Sequence, residues 1–223
     1  MITAGQTGAR TITTLAAVTL AVALSAGCTS ESESAGAPEA DSGKPSTPQS
    51  APLEEEALKA ALPNQFNVPE DVSEERIRKT WDTTDPIYCQ SEGWPDEWCA
   101  KADFAGAAGF TNLDDQELVI RLISFPDIKT AAALFKGEGT PDEVGENPPG
   151  DEIDGFDIDD PNGASDWTGH GINVRQGAVI GKIEYTWKQG TFIPSGRLAS
   201  ITAMVVKRVQ QAQHGETPIA SAR

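Results

Sequence analysis

The side chains of this sequence best placed to do chemistry are three thiols, a run of carboxylates and five tryptophans. The run Asp151, Glu152, Asp154, Asp157, Asp159 and Asp160, followed by Asn162-Gly163, offers the oxygen ligands that a hard cation wants. Its spacing fails as a calcium loop. Counted from Asp157, the third ligand position falls on Pro161, and no Glu closes the loop. The run therefore reads as a solvated acidic loop, and no metal ligand and no cofactor is expected. Two such carboxylates opposed across a cleft, one with a raised pKa, would instead act as the acid and base of a hydrolase. That makes a carboxylate-dependent cell-wall hydrolase the alternative reading.

Nucleophile arrangements are absent from the sequence, so no catalytic residue is assigned. There is no Gly-x-Ser-x-Gly, phosphate loop, Cys-x-x-Cys or zinc spacing. Ser195 reads as a helix cap, and His170, near Asp166 in a Gly-rich loop, reads as solvated. Trp81, Trp94 and Trp98 lie around Cys89 and Cys99, while Trp167 and Trp187 come later. A cleft walled by Trp94 and Trp98 would suit a small apolar molecule or a sugar. The competing reading, which is preferred, places Trp81 and Trp187 in the core and packs Trp94 and Trp98 over the cysteines. Trp94, Trp98 and Arg175 stand as the ligand-binding candidates.

The amino-terminal stretch Thr14–Cys28 is an apolar run that ends Leu24-Ser25-Ala26-Gly27-Cys28, with Arg10 as a thin positive region before it. It is too short to span a bilayer comfortably and closes in small residues. It resembles a bacterial lipoprotein signal with its lipobox. The resemblance implies that residues 1–27 are removed and that the Cys28 thiolate is acylated, palmitate included. The rest would sit at the cell membrane, lipid-anchored on the extracytoplasmic face. Two or three acyl chains make such an anchor stable where one is marginal. Once Cys28 is given to lipid, Cys89 and Cys99 remain as a pair in an oxidising compartment and are expected to form a disulfide. A metal site lacks partners, since the histidines are His170 and His214.

Removing residues 1–27, whose one charged side chain is Arg10, takes the formal charge from −17 to −18. So acidic a chain repels phosphate backbones, and nucleic acid is excluded as a partner. The same charge attracts cations and basic partners and keeps a secreted protein soluble. Residues 28–52 are Ser, Glu, Ala, Pro and Gly without apolar periodicity, and read as a disordered tether. Residues 53–214 read as one globular domain, and 215–223 as a disordered tail.

Within that domain, Leu53–Leu62 carries acid in its first turn and stops at Pro63, and reads as a short helix. Asp71 and Glu74 form a capping-box pattern, which predicts a second helix carrying Ile77 and Trp81 on one face. Ala102–Phe110 and Glu117–Phe125 read as strands, the second apolar on both faces and so covered on both sides locally. Ser124 as N-cap with Pro126 and Asp127 predicts a helix through Phe135. Gly137–Asp166 is a long acidic excursion with at most one short strand. Ile172–Trp187 reads as a hairpin turning at Gln176-Gly177, and Pro194–Ala212 as an amphipathic helix. The class is α+β: a mainly antiparallel sheet with helices packed on one face and one disulfide-stapled loop.

The run Leu58–Pro63, the Cys89 loop, Phe125-Pro126-Asp127 opening an Ala-rich helix, and Val174-Arg175-Gln176-Gly177 before a strand carry a second resemblance. Together they resemble the extracytoplasmic sensor domains of actinobacterial Ser/Thr kinases and their stand-alone lipoprotein relatives. The resemblance implies a helix-on-sheet domain with a ligand-binding cleft and no catalysis. The expected function is a membrane-anchored, non-enzymatic module of the cell envelope that binds a small ligand or an envelope protein.

Overall fold

A computed structural model describes residues 51–112, 115–137, 148–159 and 166–222. The expected signal, Cys28, all but the end of the expected tether, and Asp160 to Gly163 lie outside the described residues. Six antiparallel strands form one sheet in the order β1-β2-β3-β6-β5-β4. They are β1 (Glu74–Asp82), β2 (Phe104–Thr111), β3 (Gln116–Ser124), β4 (Glu152–Asp159), β5 (Trp167–Gln176) and β6 (Val179–Lys188). The helices are α1 (Glu55–Ala61), α2 (Pro86–Ser91), α3 (Asp96–Cys99), α4 (Ile128–Leu134) and α5 (Arg197–Gln213). The α+β class, the antiparallel sheet and the stapled loop agree with the sequence reading.

Pairing register sorts the side chains onto two faces, because successive residues of a strand point to opposite sides. Leu118, Ile120 and Leu122 of β3 meet Tyr185, Ile183 and Gly181 of β6, and this face packs under α1 and α5. Gly106 lets α1 approach: a Cβ there would stand 3.0 Å from Leu62, Thr80 and the Lys79 carbonyl. Ile123, Ala105 and Ile180 point the other way into a smaller core with Phe125, Ala131 and Leu134. α1 and α5 thus share one face, while α2, α3 and α4 cover one end of the other. That is the two-sided cover which the pattern of β3 requires.

Three local expectations are corrected. The predicted helix carrying Ile77 and Trp81 is strand β1, preceded by a single 3-10 turn at Glu70–Val72. Ile77, Lys79 and Trp81 oppose Gly109, Ala107 and Ala105 of β2, so an i, i+4 pair also satisfies a period of two. The cap of α4 is Asp127, whose carboxylate accepts from the Thr130 amide at 2.8 Å. Ser124 instead ends β3 and accepts from the Leu53 amide at 3.0 Å. Ser195 does not cap α5 either, since the residue there is Gly196, at φ 75°.

The stretch after α5 was expected to be a free tail, and its described part packs back on the domain. Ala222 donates its amide to the Asn67 carbonyl at 2.8 Å. Gln211 accepts from the Ile219 amide at 3.1 Å. Arg208 donates to the carbonyls of Pro218 and Ala220 at 3.0 and 3.1 Å. Buried polar groups on α5 need backbone partners, and these residues supply them.

Candidate functional site

Cys89 and Cys99 are joined by a disulfide, both buried, and staple α2 to α3. The staple sets the two candidate tryptophans. Trp94 is 4% exposed and lies 5.6 Å from Trp98, whose ring stands edge-on to Phe125 at 6.4 Å. Trp94 is therefore a packing residue. Trp98 is half-buried and forms a wall of a pocket of about 210 Å³ beside the edge of the sheet.

That pocket is built from four elements. Glu97 and Trp98 come from α3; Leu134, Phe135, Lys136 and Gly137 come from the end of α4; Asp154 comes from β4 and Asn173 from β5. Gly137 is required at this turn, because a Cβ would stand 2.8 Å from the Phe135 ring and 3.1 Å from the Ile153 carbonyl. The result is an aromatic and aliphatic wall facing a carboxylate pair, an ammonium and an amide. Asp154 opposes Asn173 in the β4–β5 register, which fixes their separation across the floor.

Arg175, the third candidate, is not available to a ligand. Its guanidinium side chain is 9% exposed and bonds Glu152 at 2.8 Å, Asp151 at 2.9 Å and the Gly177 carbonyl at 3.1 Å. It fastens β4 to the hairpin turn. Next to the pocket the open sheet face carries an ion network, in which Glu184 bonds Arg121 and, at 2.8 Å, Lys182. Burial works against the Glu184 charge, yet Lys182 and Arg121 together hold its carboxyl below the usual range. Lys182 also lies 5.4 Å from the centre of the Phe156 ring.

The acidic excursion does not form an opposed pair among the described residues. Asp151 and Glu152 serve Arg175, and Asp157 bonds His170 at 2.8 Å, so the partner of His170 is Asp157 rather than Asp166. Carboxyls pushed apart in pKa occur elsewhere. Asp103, Asp82 and Glu54 line a wide hollow of about 940 Å³ near the start of the domain. Burial first, then the Glu54 charge, pushes the Asp103 carboxyl up. The Thr84 hydroxyl and amide hold Asp82 down. Neither the hollow nor its acids stood out in the sequence, because Asp82 and Asp103 are remote in the chain and meet only through the β1–β2 pairing.

No protein-family model matches the chain, and no curated protein matches it. Among solved structures, the chain is similar to the extracellular domain of PknH from Mycobacterium tuberculosis. That match has 14% identity and a TM-score of 0.42, and covers 75% of this chain and 100% of that one. A likeness this distant transfers no function. Among the described residues no helix is long and apolar enough to cross a membrane.

Proposed function

We propose that the chain is a non-enzymatic binding module of the cell envelope, held at the extracytoplasmic face of the membrane by lipid on Cys28. Its pocket at Trp98 takes a sugar-type ligand. The observation that carries the ligand class is the composition of that pocket: the rings of Trp98 and Phe135 set with Glu97, Lys136, Asp154 and Asn173. A pyranose has an apolar face that stacks on an indole and a rim of hydroxyls that needs such polar partners. The disulfide supports an oxidising compartment.

The test is a thermal-shift screen of the protein against cell-wall sugars, since a ligand that binds only the folded state raises stability by mass action. A sugar that raises Tm in the wild type and not in Trp98→Ala supports the reading. No shift from any sugar refutes the ligand class and directs the search to an envelope protein. Metabolic labelling with an alkyne fatty acid tests the anchor separately, with label expected in the wild type and lost in Cys28→Ser.

The hydrolase reading keeps one foothold, moved from the acidic excursion to Asp103 and Asp82. Both carboxyls line the same hollow, and burial raises Asp103 while the Thr84 bonds lower Asp82, opposite directions that suit an acid and its partner. Release of reducing ends from cell-wall glycan, abolished in Asp103→Asn, would favour it over the binding module.

A further inference from the structure

The opposite face of the sheet carries a second pocket, of different chemistry. Register sets a row across three strands: Asp157 on β4 opposes His170 on β5, which opposes Tyr185 on β6. Trp187, two residues along β6, shares their face. Its ring lies 5.6 Å from Tyr185 at 55° and 5.4 Å from His170 at 59°, so the three rings form a continuous aromatic floor. The loop ahead of α5 and its first turn overhang this floor through Ile193, Pro194, Ser195 and Leu198, enclosing about 240 Å³.

The walls are apolar and their polar atoms few. The Tyr185 hydroxyl already donates to Gln116. Burial, with the Asp71 charge next, pushes that hydroxyl up to about 12, so it stays a neutral phenol. His170 gives Nδ1 to the Asp157 carboxylate at 2.8 Å. A carboxylate acceptor assigns the proton to Nδ1 and leaves Nε2 for another partner. Ser195 is exposed and lines the same space.

We propose that this pocket binds a small molecule built on a single planar apolar ring, with a hydroxyl or carboxyl tip that meets His170 and Ser195. Size selects one ring, because the space falls below the roughly 300 Å³ at which sites for larger ligands begin. Aromatic floors favour a ring in offset or edge contact. A sugar fits poorly, since hydroxyls on all sides would be stripped of water against Ile193, Pro194 and Leu198. A cation fits poorly beside Arg197 and the amino end of α5. The site shares no lining residue with the Trp98 pocket and stands whether or not that pocket binds sugar.

The test titrates the purified protein with benzyl alcohol, benzoate, benzylamine and methyl glucoside, read by saturation-transfer NMR on the ligand protons. Ligands of this size bind with a Kd of about 1 mM. Benzyl alcohol or benzoate is expected to bind about fivefold better than benzylamine or the glucoside. The signal should be lost in Ser195→Phe, which plugs the mouth from an exposed position, and weakened in Trp187→Leu, which removes part of the floor. It should persist in Trp98→Ala. A melting curve matching the wild type shows that Ser195→Phe is folded. Equal binding of all four probes, no binding of any, or undiminished binding in a folded Ser195→Phe overturns the proposal.

Discussion

Arg208, midway along α5, donates Nε to the carbonyl of Ala61 at 2.9 Å and so joins the last helix to the end of the first. Its remaining nitrogens reach Ala60 and Leu62 at 2.8 and 3.2 Å and the two carbonyls of the returning C-terminal stretch. Burial pushes the guanidinium down to about 10, still charged at neutral pH, and the carbonyls of α1 stabilise it there. Arg208→Met leaves these carbonyls without their donors, at a loss of about 3 kcal/mol. The expected fall in Tm is roughly 6–12 °C by thermal denaturation. Arg208→Lys should recover only part, because an ammonium has three donors and no fork.

The Cys89–Cys99 staple closes a short loop, and its removal should destabilise by about 2.5–3 kcal/mol. Denaturant unfolding of the Cys89→Ala, Cys99→Ala double variant measures it. Sugar binding at Trp98 should weaken with it, since the staple holds α3, whereas ring binding at Trp187 should not change.

Glu184 gives stability a definite slope on the acid side. Its folded pKa lies below its unfolded value, so its contribution is present above the unfolded pKa and is lost as pH falls through the folded one. Glu184→Gln should therefore lower Tm at pH 7 and flatten the fall in Tm between neutral and strongly acidic pH. A parallel displacement of the whole curve would contradict this.

Asp103 has the opposite sign. Its carboxyl is raised by burial and by Glu54, so the ionised form is penalised in the folded state and stability declines as pH rises past the unfolded pKa. Asp103→Asn should raise Tm at neutral pH and leave it unchanged well below the unfolded pKa. The same pair of melts reads both.

Gly171 on β5 lies under the ring of Phe156, its neighbour across the β4 pairing, and a Cβ there would collide with that ring. Gly171→Ala should cost roughly 1–3 kcal/mol by forcing Phe156 off the strand. Loss of the Lys182 contact with that ring should follow, visible as a shift of the Lys182 methylene resonances.

Periodicity carried most of the architecture where it had one interpretation. The two-sided apolar run of β3, the hairpin and α5 were legible because length and alternation left no rival. Ile77 and Trp81 were not, since residues four apart share a face in a strand as well as in a helix, and the Asp71–Glu74 cap pattern tipped the reading the wrong way. Arg175 stood as a ligand-binding candidate because the sequence does not reveal that Asp151 and Glu152 fold back on it. The aromatic floor was within reach. A hairpin that turns at Gln176-Gly177 and pairs Gln176 with Val179 also pairs His170 with Tyr185, which sets His170 beside Tyr185 and Trp187. What alternation could not supply was the overhanging loop at Ile193, which has no period, or the hollow of Asp82 and Asp103, which needs the pairing of β1 with β2.

The Leu53 amide bonded to Ser124 is the first contact loaded by a pull on the chain ahead of it. One hydrogen bond of this kind contributes about 1 kcal/mol, so it parts early and the backbone carries the load into α1. Drawn from its amino end, the domain gives up its first helix before any pair of strands separates.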